Sequence, residues 1–183
     1  MTMNRHIPGY LAAIAATIIA CIVAVFAANA LVDPMWYFGG NKLGTVNYAF
    51  NERLSKVNLF EANVDEYDCV IFGDSRVTLL PQDEIKGYRC FNFAVSAGKA
   101  EEAVAYARYL RANGFSPDLV IMGVPGAAFR ERIGGTNIPS FIREETAPKS
   151  AYLTYLSFDT LSMSHQTLFG ESPLDRVYTL NFK

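Results

Sequence analysis

An uncharged apolar run covers residues 11–31, close to the N-terminus. About 20 such residues cross a bilayer as an α-helix, and a helix satisfies its own backbone hydrogen bonds where lipid offers none. The run therefore predicts that residues 1–32 form a membrane anchor that contacts lipid through the run itself. Arg5 precedes the run, which favours a cytoplasmic N-terminus and a chain that lies outside the cytoplasm after Val32.

A cleavable signal peptide is the alternative, because Ala28-Asn29-Ala30 fits the small-x-small pattern that precedes cleavage. The run is long for the apolar part of a signal peptide, so a single-pass anchor in the inner (plasma) membrane is favoured. Both alternatives place the remaining chain in the periplasm or outside the cell.

The charge balance gives no reason to expect a nucleic-acid partner. The 183 residues include 16 Lys and Arg and 18 Asp and Glu, and the basic residues are scattered. No motif indicates a cofactor, and the cysteines show no metal-ligand spacing. Cys69 and Cys90 are interpreted as buried small hydrophobic residues. A disulfide between them is the less favoured alternative, because neighbouring parallel strands rarely offer the required geometry.

Residues 33–66 are interpreted as a juxtamembrane linker. Its aromatic stretch, residues 36–38, follows the apolar run at the position where aromatic side chains favour the lipid headgroups. Packing of these rings against the domain is the alternative. Residues 48–61 are expected to form a short amphipathic helix that carries Arg53 and Lys56.

Three apolar runs of strand length follow the linker. They are CVIFG from residue 69, CFNFAV at 90–95 and LVIMGV at 119–124. Runs without alternation are typical of parallel strands that are covered on both faces. The stretch between the second and third runs has helical spacing and stops at Gly114. The pattern predicts an α/β domain with a parallel sheet over residues 67–183.

Small or polar residues end all three runs, where an open parallel sheet binds its ligands. These turns are residues 73–76 (GDSR), 96–98 (SAG) and 123–126 (GVPG). The predicted site therefore lies at one edge of the sheet.

The first of these turns carries groups that can perform chemistry. Ser75 is the candidate nucleophile, and its own N–H and the N–H of Gly98 are the candidate oxyanion donors. Asp74 is expected to brace the turn by accepting backbone hydrogen bonds. Arg76 is expected to contact an anionic substrate or to form a surface ion pair.

The chain resembles the SGNH/GDSL hydrolase superfamily, in particular its bacterial membrane-anchored, cell-envelope branch. VIFGDSR resembles the first sequence block with its serine, FNFAVSAG the second with its glycine, and DLVIMGVPGAAF the third. The anchor, DPMWYF and NERLSKVNLF are also similar to that branch. The resemblance covers about residues 10–170. It implies a three-layer α/β/α fold of flavodoxin-like type, and hydrolysis or transfer of acyl esters on envelope polysaccharides.

Two features depart from the family pattern. The third block commonly carries an asparagine that holds the oxyanion, whereas residues 123–126 here read GVPG. The family's base lies in an Asp-x-x-His motif, but His165 has no aspartate at that spacing and is interpreted as a surface or packing histidine. His6 lies before the anchor, on the other side of the membrane. The chain is therefore expected to be an incomplete hydrolase domain that is inactive or severely impaired.

Two other functions stay open. A non-catalytic envelope protein would use the same cleft to bind a glycan or a membrane-protein partner, and would need no base. A phosphate-binding domain would hold an anion at residues 73–76, but no Gly-x-Gly-x-x-Gly or Walker-type sequence is present. Residues 129–150, within the unassigned segment 126–183, are interpreted either as a lid over the site or as a connector.

Overall fold

Helices and strands are interspersed along the chain in the computed structural model, which describes residues 6–44, 46–48, 50–124, 138–143, 151–170 and 177–179. The helices are α1 His6–Val32, α2 Glu52–Ala62, α3 Ala100–Ala112, α4 Ser140–Arg143, α5 Ala151–Tyr155 and α6 Phe158–Phe169. The strands are β1 Val46–Tyr48, β2 Cys69–Phe72, β3 Cys90–Asn92, β4 Leu119–Met122 and β5 Val177–Thr179. Short 3₁₀ helices cover Val64–Glu66, Val77–Leu79 and Gln82–Glu84.

Within the described residues the central sheet has three parallel strands, in the order β3–β2–β4. Cys69 of β2 lies opposite Cys90 of β3 on one side and Leu119 of β4 on the other. Every residue of β2 and β3 is buried, as their continuous apolar runs predict. The prediction of an α/β architecture with a parallel sheet is therefore confirmed.

The third strand, β4, differs from its prediction because one of its faces is exposed. Val120 and Met122 are 52% and 41% exposed. The helix α3 packs over the neighbouring strands instead, where the Tyr106 ring lies 5.6 Å from Phe93 and 6.5 Å from Phe72. Within the described residues β4 is thus an edge strand that is only half covered.

A second sheet, which the sequence analysis missed, pairs β1 with β5 in antiparallel register. Val46 lies opposite Thr179, and Tyr48 lies opposite Val177. The last strand comes from a segment that shows no strand pattern, and it does not extend the parallel sheet.

Cys69 and Cys90 form a disulfide, so their interpretation as two unlinked hydrophobic residues is wrong. The two cysteines are register partners at the first positions of β2 and β3, and their Cα atoms are 4.2 Å apart. Because a bridge needs Cα atoms closer than about 7 Å, direct pairing at the strand starts supplies the required geometry even between parallel strands. Both cysteines are buried.

The main core lies between the sheet and the helices α2 and α3. Phe60 of α2 has its ring centroid 5.3 Å from that of Phe91 and 4.9 Å from that of Phe115. The predicted amphipathic helix is thus confirmed as α2, and the stretch 33–66 contributes to the core. Trp36 is also buried there, with 1% of its surface exposed.

The N-terminal helix α1 contains a stretch, Gly9–Val32, that is long and apolar enough to cross a membrane. This matches the predicted position of the anchor, and a signal sequence has the same features. Among the described residues, the ring contacts and side-chain hydrogen bonds that join α1 to the rest of the chain involve its last turns. There, Phe26 stacks on Tyr152 of α5, with ring centroids 5.8 Å apart.

A buried aspartate joins α1 to the domain. Asp33 is fully buried and has a positive φ of 47°, which non-glycine residues rarely adopt. Its carboxylate accepts the N–H groups of Phe38 (2.8 Å) and Gly40 (2.6 Å) and the hydroxyl of Tyr155. Burial and the neighbouring Asp33 raise the pKa of the Tyr155 phenol, so this phenol keeps its proton and acts as the donor.

Candidate functional site

The ends of the three parallel strands meet at three glycines. A Cβ atom placed on Gly98 would lie 2.3 Å from the carbonyl oxygen of Gly73. Cβ atoms placed on Gly73 and Gly123 would lie 2.5 Å and 2.2 Å from the Val77 side chain. Because real Cβ atoms do not approach other heavy atoms so closely, only glycine allows the three turns to pack together. The structure therefore brings the predicted turns to one edge of the sheet.

Asp74 and Arg76 form a closed pair in the first turn. The Asp74 carboxylate accepts the backbone N–H of Arg76 (3.0 Å) and pairs with its guanidinium (2.6 Å). These bonds to Arg76 lower the pKa of Asp74. Both Asp74 oxygens are thus engaged by Arg76, whose side chain is 70% exposed, and an anion would compete with Asp74 for that side chain.

Ser75 presents a hydroxyl that has no hydrogen-bond partner within the described part of the chain. The residue is half-buried, and its carbonyl accepts the Thr78 hydroxyl (2.7 Å). The Ser75 N–H also has no acceptor among the described residues. A hydroxyl and an amide of the same residue therefore stay available at the end of the central strand.

The second turn does not present the Gly98 amide as a free oxyanion donor. The N–H of Gly98 donates to the Val95 carbonyl (3.0 Å), so this amide already has an acceptor. Ala97, just before it, has a positive φ of 53°. Such backbone strain in a non-glycine residue concentrates at functional turns.

Charged residues of α2 hold this second turn in place, and the sequence analysis missed that role. The Glu52 carboxylate accepts the N–H (2.6 Å) and the hydroxyl (3.0 Å) of Ser96. Arg53 pairs with the buried Glu102 of α3 (2.9 Å). In the sequence, the one indication of this role is the concentration of charged residues in NERLSK, within a helix whose other face is apolar.

Lys56, from the next turn of α2, is also buried. Its ammonium group donates to the carbonyl oxygens of Asn92 (2.9 Å) and Ala94, which lie at the end of β3 and just beyond it. Helix α2 therefore fixes the end of the second strand through both an anionic and a cationic side chain.

His165 is exposed on α6, where its ring centroid lies 5.3 Å from that of Phe169. The hydrogen bonds and ion pairs described for residues 73–76 include no histidine. Among the described residues, no group of three acidic, histidine or cysteine side chains is placed to hold a metal ion.

The third turn is described only as far as Val124, so Pro125 and Gly126 lie outside the described residues, as does most of the predicted lid. A groove of about 340 Å³ lies between α3 and residues 138–143, lined by residues such as Val104, Arg108 and Ile142. None of the candidate site residues lines it.

Comparison with known proteins gives no further assignment. No protein-family model matches the chain, and no curated protein or solved structure shows significant similarity to it.

Proposed function

We propose that this chain is a membrane-anchored, extracytoplasmic SGNH-like serine esterase or O-acyltransferase that acts on acylated cell-envelope polysaccharide. The observation that carries the proposal is the end of β2, where the hydroxyl and the N–H of Ser75 both lack partners among the described residues. A free hydroxyl beside a free amide is the minimum for acyl transfer, because one attacks and the other holds the oxyanion.

The strand order supports the same assignment. In order of sequence the parallel strands run second, first, third across the sheet, which is how the flavodoxin-like order begins. In that order the ligand crevice lies between the first and third strands, at the Gly73 and Gly123 turns. A three-layer α/β/α domain of SGNH type is the fold that we infer from this beginning.

In the proposed reaction, the Ser75 Oγ attacks the acyl carbonyl and the oxyanion accepts the Ser75 N–H. Collapse of the intermediate breaks the ester bond, so the acyl group stays on Ser75 and the sugar oxygen leaves with a proton. Water or another hydroxyl then removes the acyl group. The Ser75 proton needs a base, and the described contacts supply none, so we expect slow turnover that depends on hydroxide.

A fluorophosphonate probe on the full chain in nanodiscs tests the assignment. We expect labelling of the wild type and no labelling of Ser75→Ala. The control Ser162→Ala, which removes an exposed serine of α6, should label like the wild type. The labelling rate should rise in proportion to hydroxide, without a plateau near the pKa of histidine. Labelling that persists in Ser75→Ala removes this serine from the mechanism.

A non-catalytic envelope protein is the second candidate. The engaged Gly98 amide and the absence of histidine from the described contacts of residues 73–76 favour it. In this case the chain would bind an acylated glycan with equal affinity in the wild type and in Ser75→Ala, and neither would react with the probe.

The structure of the α1 junction favours an anchor that stays attached. Asn29 is fully buried; its side chain donates to the Tyr155 carbonyl (2.8 Å) and accepts the Ser164 hydroxyl (2.8 Å). Cleavage after Ala30 would remove Asn29 and with it both hydrogen bonds, at about 0.5–1.5 kcal/mol each. The intact mass of the membrane-extracted protein should therefore include α1, and a mass that lacks the first 30 residues would contradict this.

The orientation follows from charge and redox chemistry. Arg5 before the apolar run favours a cytoplasmic N-terminus, and disulfides such as Cys69–Cys90 persist mainly outside the cytoplasm. The domain is therefore proposed to lie in the periplasm or outside the cell.

A further inference from the structure

Four large apolar side chains are exposed within seven residues of the α5 region. Tyr152, Leu153, Leu156 and Phe158 are 68%, 75%, 43% and 85% exposed, and residues 151–158 contain no charge. Isolated exposed apolar residues are ordinary on protein surfaces, but four such side chains within seven uncharged residues indicate a partner surface. We call these four residues the α5 patch.

The α5 patch adjoins the last turns of the anchor. Tyr152 stacks on Phe26 of α1 at 5.8 Å between ring centroids, and Tyr155 lies 6.3 Å from the same ring. The Asn29 side chain also bonds to the backbone of Tyr155 (2.8 Å). These contacts fix the height of α5 relative to α1.

This height can be compared with the thickness of a bilayer. The apolar stretch Gly9–Val32 has 24 residues, which gives about 36 Å at 1.5 Å per residue, against a hydrocarbon core of about 30 Å. Phe26 precedes the end of α1 by about 9 Å. If the excess of about 6 Å is shared between the two sides of the membrane, Phe26 lies about 6 Å below the hydrocarbon boundary on the domain side. If the whole excess lies on the domain side, Phe26 lies about 3 Å below it.

Side chains that lie at this depth meet lipid. Interfacial segments bury their apolar faces about 5–10 Å into the boundary between headgroups and acyl chains, and aromatic residues concentrate at the same level. The α5 patch also lies beside exposed apolar residues of α1, because Val23 and Leu31 flank in sequence the turns that α5 contacts.

From this position we propose that residues 151–158 rest in the membrane interface on the domain side, with the α5 patch against lipid. The proposal requires the α1 anchor but does not require Ser75 to be catalytic. The domain then contacts the membrane at two places, the α1 helix and the α5 patch.

Spin labels on the full chain in phosphatidylcholine nanodiscs test this proposal. Single cysteines are introduced as Leu153→Cys and Phe158→Cys in a Cys21→Ala background, and collision rates with oxygen and with a water-soluble nickel chelate are measured. Both positions should collide more with oxygen than with nickel. Ile18→Cys, within the apolar stretch of α1, is the lipid standard. Leu79→Cys, which is 84% exposed beside the candidate site, is the matched apolar control and should collide more with nickel.

Each outcome decides the matter. Nickel access at Leu153 and Phe158 equal to that at Leu79 would overturn the proposal, because the patch would then face water. Low access to both reagents would also overturn it, since a second copy or another protein would cover the patch. A nickel-accessible label at Ile18 would overturn it at the anchor itself, and none of these results bears on Ser75 labelling.

Discussion

Removing the Cys69–Cys90 disulfide should lower the stability of the domain by an amount set by the length of the loop that the disulfide closes. The bridge joins residues 21 positions apart. A loop of that size loses about 3 kcal/mol of unfolded-state entropy in the chain-entropy model. Domains of 150–250 residues shift their melting temperature by about 2–4 °C per kcal/mol, so we expect a decrease of about 6–12 °C.

Trp36 offers a convenient reporter, because it is the single tryptophan and is 1% exposed in the core. Thermal unfolding of the detergent-solubilised full chain is followed by tryptophan fluorescence for the wild type and for the double variant Cys69→Ala, Cys90→Ala. Cys21→Ala, which removes the exposed free cysteine, is the control and should melt like the wild type. A double variant that melts like the wild type would refute the reasoning, as would a wild-type protein whose Cys69 and Cys90 both react with an alkylating reagent after unfolding without reductant.

Three further predictions concern the candidate site. Glu52→Gln removes the negative charge that holds the second turn. The free energy of unfolding from urea denaturation should fall by about 1–3 kcal/mol, and the serine probe should react more slowly. An unchanged free energy of unfolding would contradict the role of Glu52 in holding this turn. Gly123→Ala creates a 2.2 Å contact with the Val77 side chain, whose Cβ lies 3.4 Å away, and should cost about 1–3 kcal/mol. Val77→Ala removes the clashing methyl group, so Gly123→Ala with Val77→Ala should recover part of this cost; strictly additive costs in the double-mutant cycle would contradict the clash. Arg76 lowers the pKa of Asp74, so this pair stabilises the fold fully above the ordinary aspartate pKa, and the stabilisation is lost as the pH falls through the lowered pKa. Arg76→Ala should raise the pKa of Asp74 in a carboxyl NMR titration. An unchanged pKa would contradict the pairing.

The features predicted correctly are those that local sequence encodes. Continuous apolar runs identified β2 and β3, because strands buried on both faces carry apolar residues without alternation. Helical spacing identified α3, and Gly114 marked its end because a glycine with left-handed backbone commonly terminates a helix. The convergence of the three turns also followed, since parallel strands present their carboxyl ends at one edge.

The features that were missed depend on long-range pairing. β1 and β5 have three residues each, too short for a periodic signal, and their register joins residues far apart in sequence. The disulfide required knowledge that Cys69 and Cys90 are opposite each other. The role of Glu52 was hidden because a charged residue on a short helix usually faces solvent, and only the packed turn shows what it holds.

The buried carboxylate of Asp33 has a mechanical consequence. A domain on a flexible linker samples a wide volume above the bilayer, whereas here α1 is joined directly to the domain by the hydrogen bonds of Asp33. The domain is then expected to move mainly by lateral diffusion and by rotation about the α1 axis. If Ser75 acts on a glycan as proposed, the glycan can reach it only within a thin layer at a fixed distance from the lipid, so distance from the membrane would select substrates before chemistry does.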